Sequence, residues 1–94
     1  MVKHVVCFKL KDFNDAKKAK EILLSMETNV PLVRGIEVGI DELRSSRSFD
    51  VMLTVILDDF NALEEYQKDA YHVSVVKEFM HKVIEKSISF DYEI

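Results

Sequence analysis

Residues 49–57, Phe-Asp-Val-Met-Leu-Thr-Val-Ile-Leu, constrain this chain more than any other stretch. Nine residues of strand-forming character carry almost nothing polar, so neither face of the strand is designed for water. A half-buried surface strand would alternate. This one asks for cover on both sides, as a central strand does. Ninety-four residues make one domain, spanning residues 1–94, and a chain this short buries a limited fraction of its surface. Helices can cover one face of the sheet. A second copy of the chain is the expected cover for the other.

Residues 2–10 read as a strand of period two. Val2, His4, Val6, Phe8 and Leu10 share one face, and Lys3, Val5, Cys7 and Lys9 share the other. Asn14 is placed to cap a helix whose apolar positions Ala16, Ala19, Ile22, Leu23 and Met26 recur at helical spacing. That helix should end near Thr28-Asn29, because Pro31 forbids continuation through Val30. Ile36–Ile40 is a short strand in which Gly39 suggests a bulge or a close backbone approach. Residues 41–48 are polar, without period, and read as an exposed loop.

After the central strand, Asn61 and Glu64 have the spacing of a capping box for a short helix running to Tyr66 and Ala70. A second helical run starts near His72, with an apolar stripe of Val73, Val76, Phe79, Met80, Val83 and Ile84. His81 lies off that stripe and is expected in solvent. Residues 87–94 form the last strand, with Ile88, Phe90, Tyr92 and Ile94 on one face and Ser89, Asp91 and Glu93 on the other. The order β-α-β-β-α-β predicts an α+β, ferredoxin-like fold: a four-stranded antiparallel sheet with helices on one face. Its open face predicts a two-fold homodimer through the sheets.

Charge narrows the function. The net charge is −4, with basic residues interleaved among acidic ones, so neither nucleic acid nor a membrane is an expected partner. The single cysteine, Cys7, has no disulfide partner within the chain and fits the cytoplasm. No apolar run reaches the length of a membrane span, and Met1 leads into a strand, not a signal peptide.

The opening Met-Val-Lys-His4-Val-Val-Cys-Phe-Lys-Leu-Lys resembles the start of the stress-responsive A/B barrel (Dabb) domain family. So do Val30-Pro31-Leu32-Val33 leading to Gly39, the run from Phe60 to Tyr66 followed by His72, and the closing Ser89-Phe90-Asp91-Tyr92-Glu93. The resemblance covers essentially the whole chain. It implies the same ferredoxin-like unit, dimerised into an α+β barrel. It also implies a small organic ligand in a pocket between sheet and helices, without a cofactor. Family members include plant stress-response proteins and a plant polyketide cyclase of the olivetolic acid cyclase type. In that cyclase a Tyr and a His act on a linear polyketide, supported by a strand-one His and a last-strand Asp. The positions that match are Tyr66 and His72 as catalytic residues, with His4 and Asp91 as ligand-binding supports.

The chemistry of those four side chains is consistent with acid–base work on a carbonyl compound. His72 can exchange a proton near neutrality, with Asp91 orienting its second nitrogen, and Tyr66 can donate to a developing oxyanion. Two other readings stand beside it. One is a buried His–Asp pair that ties the last strand to a helix. The other is a metal site from His4, His72 and Asp91, which no contiguous ligand motif supports. One departure bears on all three. The family commonly reads Tyr-x-x-His-Pro-x-His, and here Asp69-Ala70 replaces the His-Pro pair. In an unbroken helix, residues six apart sit roughly 120° off a common face. Tyr66 and His72 converge only if the helix breaks between them.

Overall fold

The computed structural model describes all residues 1–94. Four strands, β1 (Val2–Leu10), β2 (Gly35–Ile40), β3 (Val51–Leu57) and β4 (Ile84–Glu93), form one sheet in the order β2-β3-β1-β4. Every neighbouring pair is antiparallel. With helices between β1 and β2 and between β3 and β4, this is the ferredoxin-like arrangement expected from the sequence. The predicted central strand is internal, flanked by β1 and β2.

The first helical segment opens with a 3-10 turn, Phe13–Asp15, followed by α1 (Ala16–Leu24) and a short α2 (Met26–Asn29). Its cap is Asp12, whose carboxylate accepts from Asn14 N at 2.9 Å, and not Asn14 as the sequence suggested. The same two-residue displacement recurs at α3 (Phe60–Lys68). There Asp59 accepts from Ala62 N at 2.7 Å, and Asn61 is already inside the helix. In both places an aspartate upstream of a plausible asparagine takes the cap, because the aspartate itself holds the extended backbone that a cap requires.

Register fixes the two faces of the sheet. His4 lies opposite Val55 and Asp91, while Val5 lies opposite Thr54 and Phe90, and Cys7 opposite Met52 and Ile88. The first set faces the helices. There Val2, Leu53, Val55 and Leu57 join Leu23, Met26, Tyr66, Val76 and Met80 in one buried core. The second set faces outward. On it Met52, Ile88 and Phe90 are 44, 59 and 69 % exposed, an apolar surface that nothing in the chain covers.

Gly39 pairs with Met52 in regular register on that open face, without a bulge, and no atom of the chain lies within 4 Å of where its Cβ would be. The expected bulge or close approach is therefore absent within the chain. β4 begins at Ile84, directly from the preceding helix and three residues earlier than expected, so Ile84 belongs to a strand and not to the helical stripe. No helix is long and apolar enough to cross a membrane.

The loop between β2 and β3 is fastened by one buried carboxylate. Asp50 is 1 % exposed. Its oxygens accept from Leu10 N at 2.8 Å, from an Arg44 guanidinium nitrogen at 2.7 Å and from Lys9 Nζ at 3.3 Å. The Arg44 guanidinium lies 3.8 Å over the Phe13 ring, which ties the loop to the first helical segment as well. Burial alone raises the carboxyl pKa of Asp50, but these donors outweigh it and hold the group below its ordinary value.

Candidate functional site

The helix breaks. Asp69 closes α3 with extended backbone, φ −56° and ψ 134°, and the chain restarts at Ala70. The device that replaces proline is the aspartate side chain. Asp69 Oδ1 accepts from Tyr71 N at 2.9 Å and from His72 N at 3.1 Å, capping the helix that follows. That helix begins as one π-helical segment, His72–Lys77, and continues as α4 (Glu78–Val83). The wider π spacing explains why Val73, expected on the apolar stripe, is exposed while Val76 and Met80 are buried.

A break leaves the last carbonyls of α3 without intrahelical partners. Tyr66 O keeps one bond, from Asp69 N at 3.2 Å, and side chains from the next segment supply the rest. His72 Nδ1 donates to Tyr66 O at 3.0 Å, and Lys77 Nζ donates to Gln67 O at 2.9 Å. These bonds draw both side chains inward under the sheet. Since a carbonyl only accepts, His72 carries its proton on Nδ1 and leaves Nε2 as a free acceptor. Burial lowers the His72 pKa below 6.5, and the Tyr66 carbonyl opposes that shift without reversing it. The imidazole is therefore neutral at pH 7.

Tyr66 is fully buried, its ring centroid 4.3 Å from that of His72 and 5.8 Å from that of His4. Its hydroxyl donates to Met26 Sδ at 3.6 Å. Burial pushes the phenol well above its ordinary value of 10, with the Asp69 carboxylate adding to the rise. His4, on β1, donates from Nδ1 to Asp91 Oδ1 on β4, its cross-strand partner. The four residues are thus gathered, with one change of partner. Asp91 orients His4 and not His72, because register places it opposite His4, and the Tyr66 carbonyl already holds His72 Nδ1. The His–Asp pair joins the last strand to the first strand, not to a helix. No group of three or more His, Cys, Asp or Glu is placed to hold a metal ion.

Beside these residues lies a cavity of about 350 Å³ between sheet and helices, lined by His4, Tyr66 and His72. Its lining also includes Gln67, Lys77, His81, Ser87 and Ser89, which the sequence reading left out. His81 is exposed, as expected, but on the rim of the cavity. The signal for the rim was available in part: Lys77 and His81 are four apart and share a helix face. The π spacing that turns this face toward the cavity was not.

The cap at Asp69 can be tested directly. Asp69→Ala is expected to lower stability by about 1 kcal/mol in chemical denaturation, as loss of a helix cap does. It should also disturb the His72 imidazole signals in NMR spectra. Unchanged stability and unchanged imidazole signals would show that Asp69 does not hold the break.

A family model described as Stress responsive A/B Barrel Domain matches residues 2–94. Among solved structures, a dimeric protein of unknown function with a ferredoxin-like fold from Bacteroides fragilis superposes with a TM-score of 0.85 at 24 % identity. The match covers 99 % of this chain and 95 % of that one. A Dabb family protein with a ferredoxin-like fold from Mesorhizobium loti gives 0.74 at 21 % identity, covering 99 % and 95 %. A crystal structure from Arabidopsis thaliana gives 0.85 at 16 % identity, covering 100 % and 95 %. No curated protein matches in sequence.

Proposed function

We propose, from the premise that the chain belongs to the stress responsive A/B barrel domain family, that it is a homodimeric protein that binds a small organic ligand between sheet and helices. The observation that carries the ligand reading is the cavity of about 350 Å³, whose lining includes all three histidines of the chain. That volume is at the small end of the range for ligand pockets. Imidazoles with hydrogen-bonding edges beside apolar walls suit a ligand with one polar end. The homodimer reading is supported by the uncovered apolar face of the sheet, and the solved relative from Bacteroides fragilis is described as dimeric. A cytoplasmic location is supported by the lone Cys7, and a role in stress by the family description alone.

The ligand reading is tested with a library of small organic compounds, followed by NMR of the histidine imidazoles. Binders are expected to shift His4 and His72 together. Val6→Phe, which projects a ring into the cavity from β1, is expected to abolish those shifts while the protein stays folded. Shifts that persist in Val6→Phe would move the ligand elsewhere, and a library without one such binder would count against the reading.

A second reading is favoured by the His72 tautomer. A neutral imidazole with a free Nε2 in a partly desolvated cavity is equipped as a general base, without a cofactor. Cyclisation, aldol-type condensation and isomerisation of a carbonyl compound are the reactions it would serve. His72 is the proton acceptor in this reading, and His4 is held by Asp91 as a second polar contact. Tyr66, with its hydroxyl on Met26, would have to turn that group into the cavity to serve an oxyanion. Any turnover is then expected to fall on the acid side with an apparent pKa below 6.5, and to vanish in His72→Asn.

A further inference from the structure

Aspartate and glutamate make up 17 of the 94 residues, and the chain as a whole is negative, yet none of the 15 residues lining the cavity is acidic. One lining residue, Lys77, carries a permanent charge, and it is positive. The nearby carboxylates are engaged outside the lining: Asp91 by His4, and Asp69 by the backbone of Tyr71 and His72.

The polar and apolar parts of the lining separate. Val6, Phe8 and Leu53 from the sheet, Leu23 from α1, and Val76 and Met80 from the last helical run supply apolar walls. Lys77 is half-buried, while His81, Ser87 and Ser89 are exposed and edge the cavity. An ammonium has three N–H donors, and Lys77 spends one on Gln67 O. Two remain, fixed in direction by the first. Serines 87 and 89 stand on one face of β4, the face turned toward the helices, and add hydroxyl donors.

We infer that the cavity selects a small monoanionic amphiphile, a carboxylic acid with an apolar body, whose acid group is held by Lys77 with the β4 serines. This rests on the ligand reading of the cavity and adds its charge and its anchor. One permanent cation in the lining matches a single negative charge. A dianion would bring a second charge into a half-buried site with no fixed partner for it. The apolar body then lies along the sheet, within reach of the free edge of His72. Lys77 is thereby a specificity residue, and its bond to the broken end of α3 is what aims it.

The test compares octanoate with octanamide, which share shape and differ in charge. Binding is followed at pH 7 through the His4 and His72 imidazole signals. In the wild-type protein octanoate is expected to bind at least about tenfold tighter than octanamide, the scale of a charge-assisted hydrogen bond. Lys77→Met should bring that ratio close to one by weakening octanoate far more than octanamide, and Lys77→Arg should keep the preference. Equal affinity for the two probes in the wild type overturns the inference and leaves the cavity reading standing. A preference that survives in Lys77→Met assigns the anion to other donors and overturns the role of Lys77. Absence of saturable shifts with both probes at millimolar concentration sinks the cavity reading, and the inference with it. If Lys77→Met fails to fold, Lys77→Gln, which removes the charge and keeps a donor for Gln67 O, decides by the same ratio.

Discussion

Phe90→Glu is expected to leave the chain folded and to convert a dimer into a monomer. The ring is 69 % exposed within one chain, so the fold does not depend on it. It stands opposite Val5 on the open sheet face, midway along the edge strand β4, beside Tyr92 at a ring-centroid distance of 5.7 Å. In a face-to-face dimer that position is desolvated. A carboxylate placed there without a partner costs about 3–5 kcal/mol, which weakens association by roughly 100- to 4,000-fold. A twofold dimer carries the change twice, once from each copy. Sedimentation velocity at micromolar concentration measures it. A wild-type protein that sediments as a monomer, or a Phe90→Glu variant that remains dimeric, rules out this face as the interface.

The second large effect is expected at Asp50. In Asp50→Asn the neutral amide can still accept from Leu10 N, but Arg44 and Lys9 lose their counter-charge. Removing one member of a buried ionic cluster costs about 3–5 kcal/mol. Arg44 and Lys9 both reach solvent in part, which places the loss at the lower end of that range. Chemical denaturation reads it. The pH dependence carries a sign. The folded carboxyl titrates below its unfolded value of 3.8, so its stabilisation is present above pH 3.8 and lost as pH falls through the folded pKa. His72 acts in the same direction at higher pH. Its folded pKa lies below 6.5, so stability is full above that value and declines beneath it. The wild-type protein should lose stability in two acid steps, and Asp50→Asn should reduce the lower one, to which Asp58 beside Arg34 also contributes. A variant as stable as the wild type at pH 7 would mean that the cluster adds nothing to the fold.

The apolar strand near residue 50 made most of the fold legible. A strand without a polar face has to be internal, and β3 is. Period two on either side of His4 and Phe90 predicted both faces of the sheet correctly. The caps were misread, because Asn14 and Asn61 satisfy the same rules as Asp12 and Asp59, and only backbone dihedrals separate them. Within the site, the residue types were legible and the bonding was not. Asp91 bonds to His4 through strand register, a relation between residues 87 positions apart that no local spacing encodes. The helix break was open for a different reason. Alanine at position 70 favours a continuous helix, and its preference was overruled by the side chain of Asp69, whose capping bonds form only once the chain has turned.

The π-helical segment at His72–Lys77 has a bearing on how this chain is to be lined up with others. A hydrogen bond from i to i+5 takes in one more residue than a bond from i to i+4, so such a turn behaves like a single inserted amino acid absorbed without a loop. Ser74 is exposed, with its hydroxyl donating to Ala70 O, and is the kind of position where an extra residue does least harm. Relatives that lack the insertion would carry the counterpart of Lys77 one place nearer to the histidine. Matching such chains by fixed intervals from His72 would then pair Lys77 with the wrong neighbour. Counting backwards from the last strand would pair it with the right one.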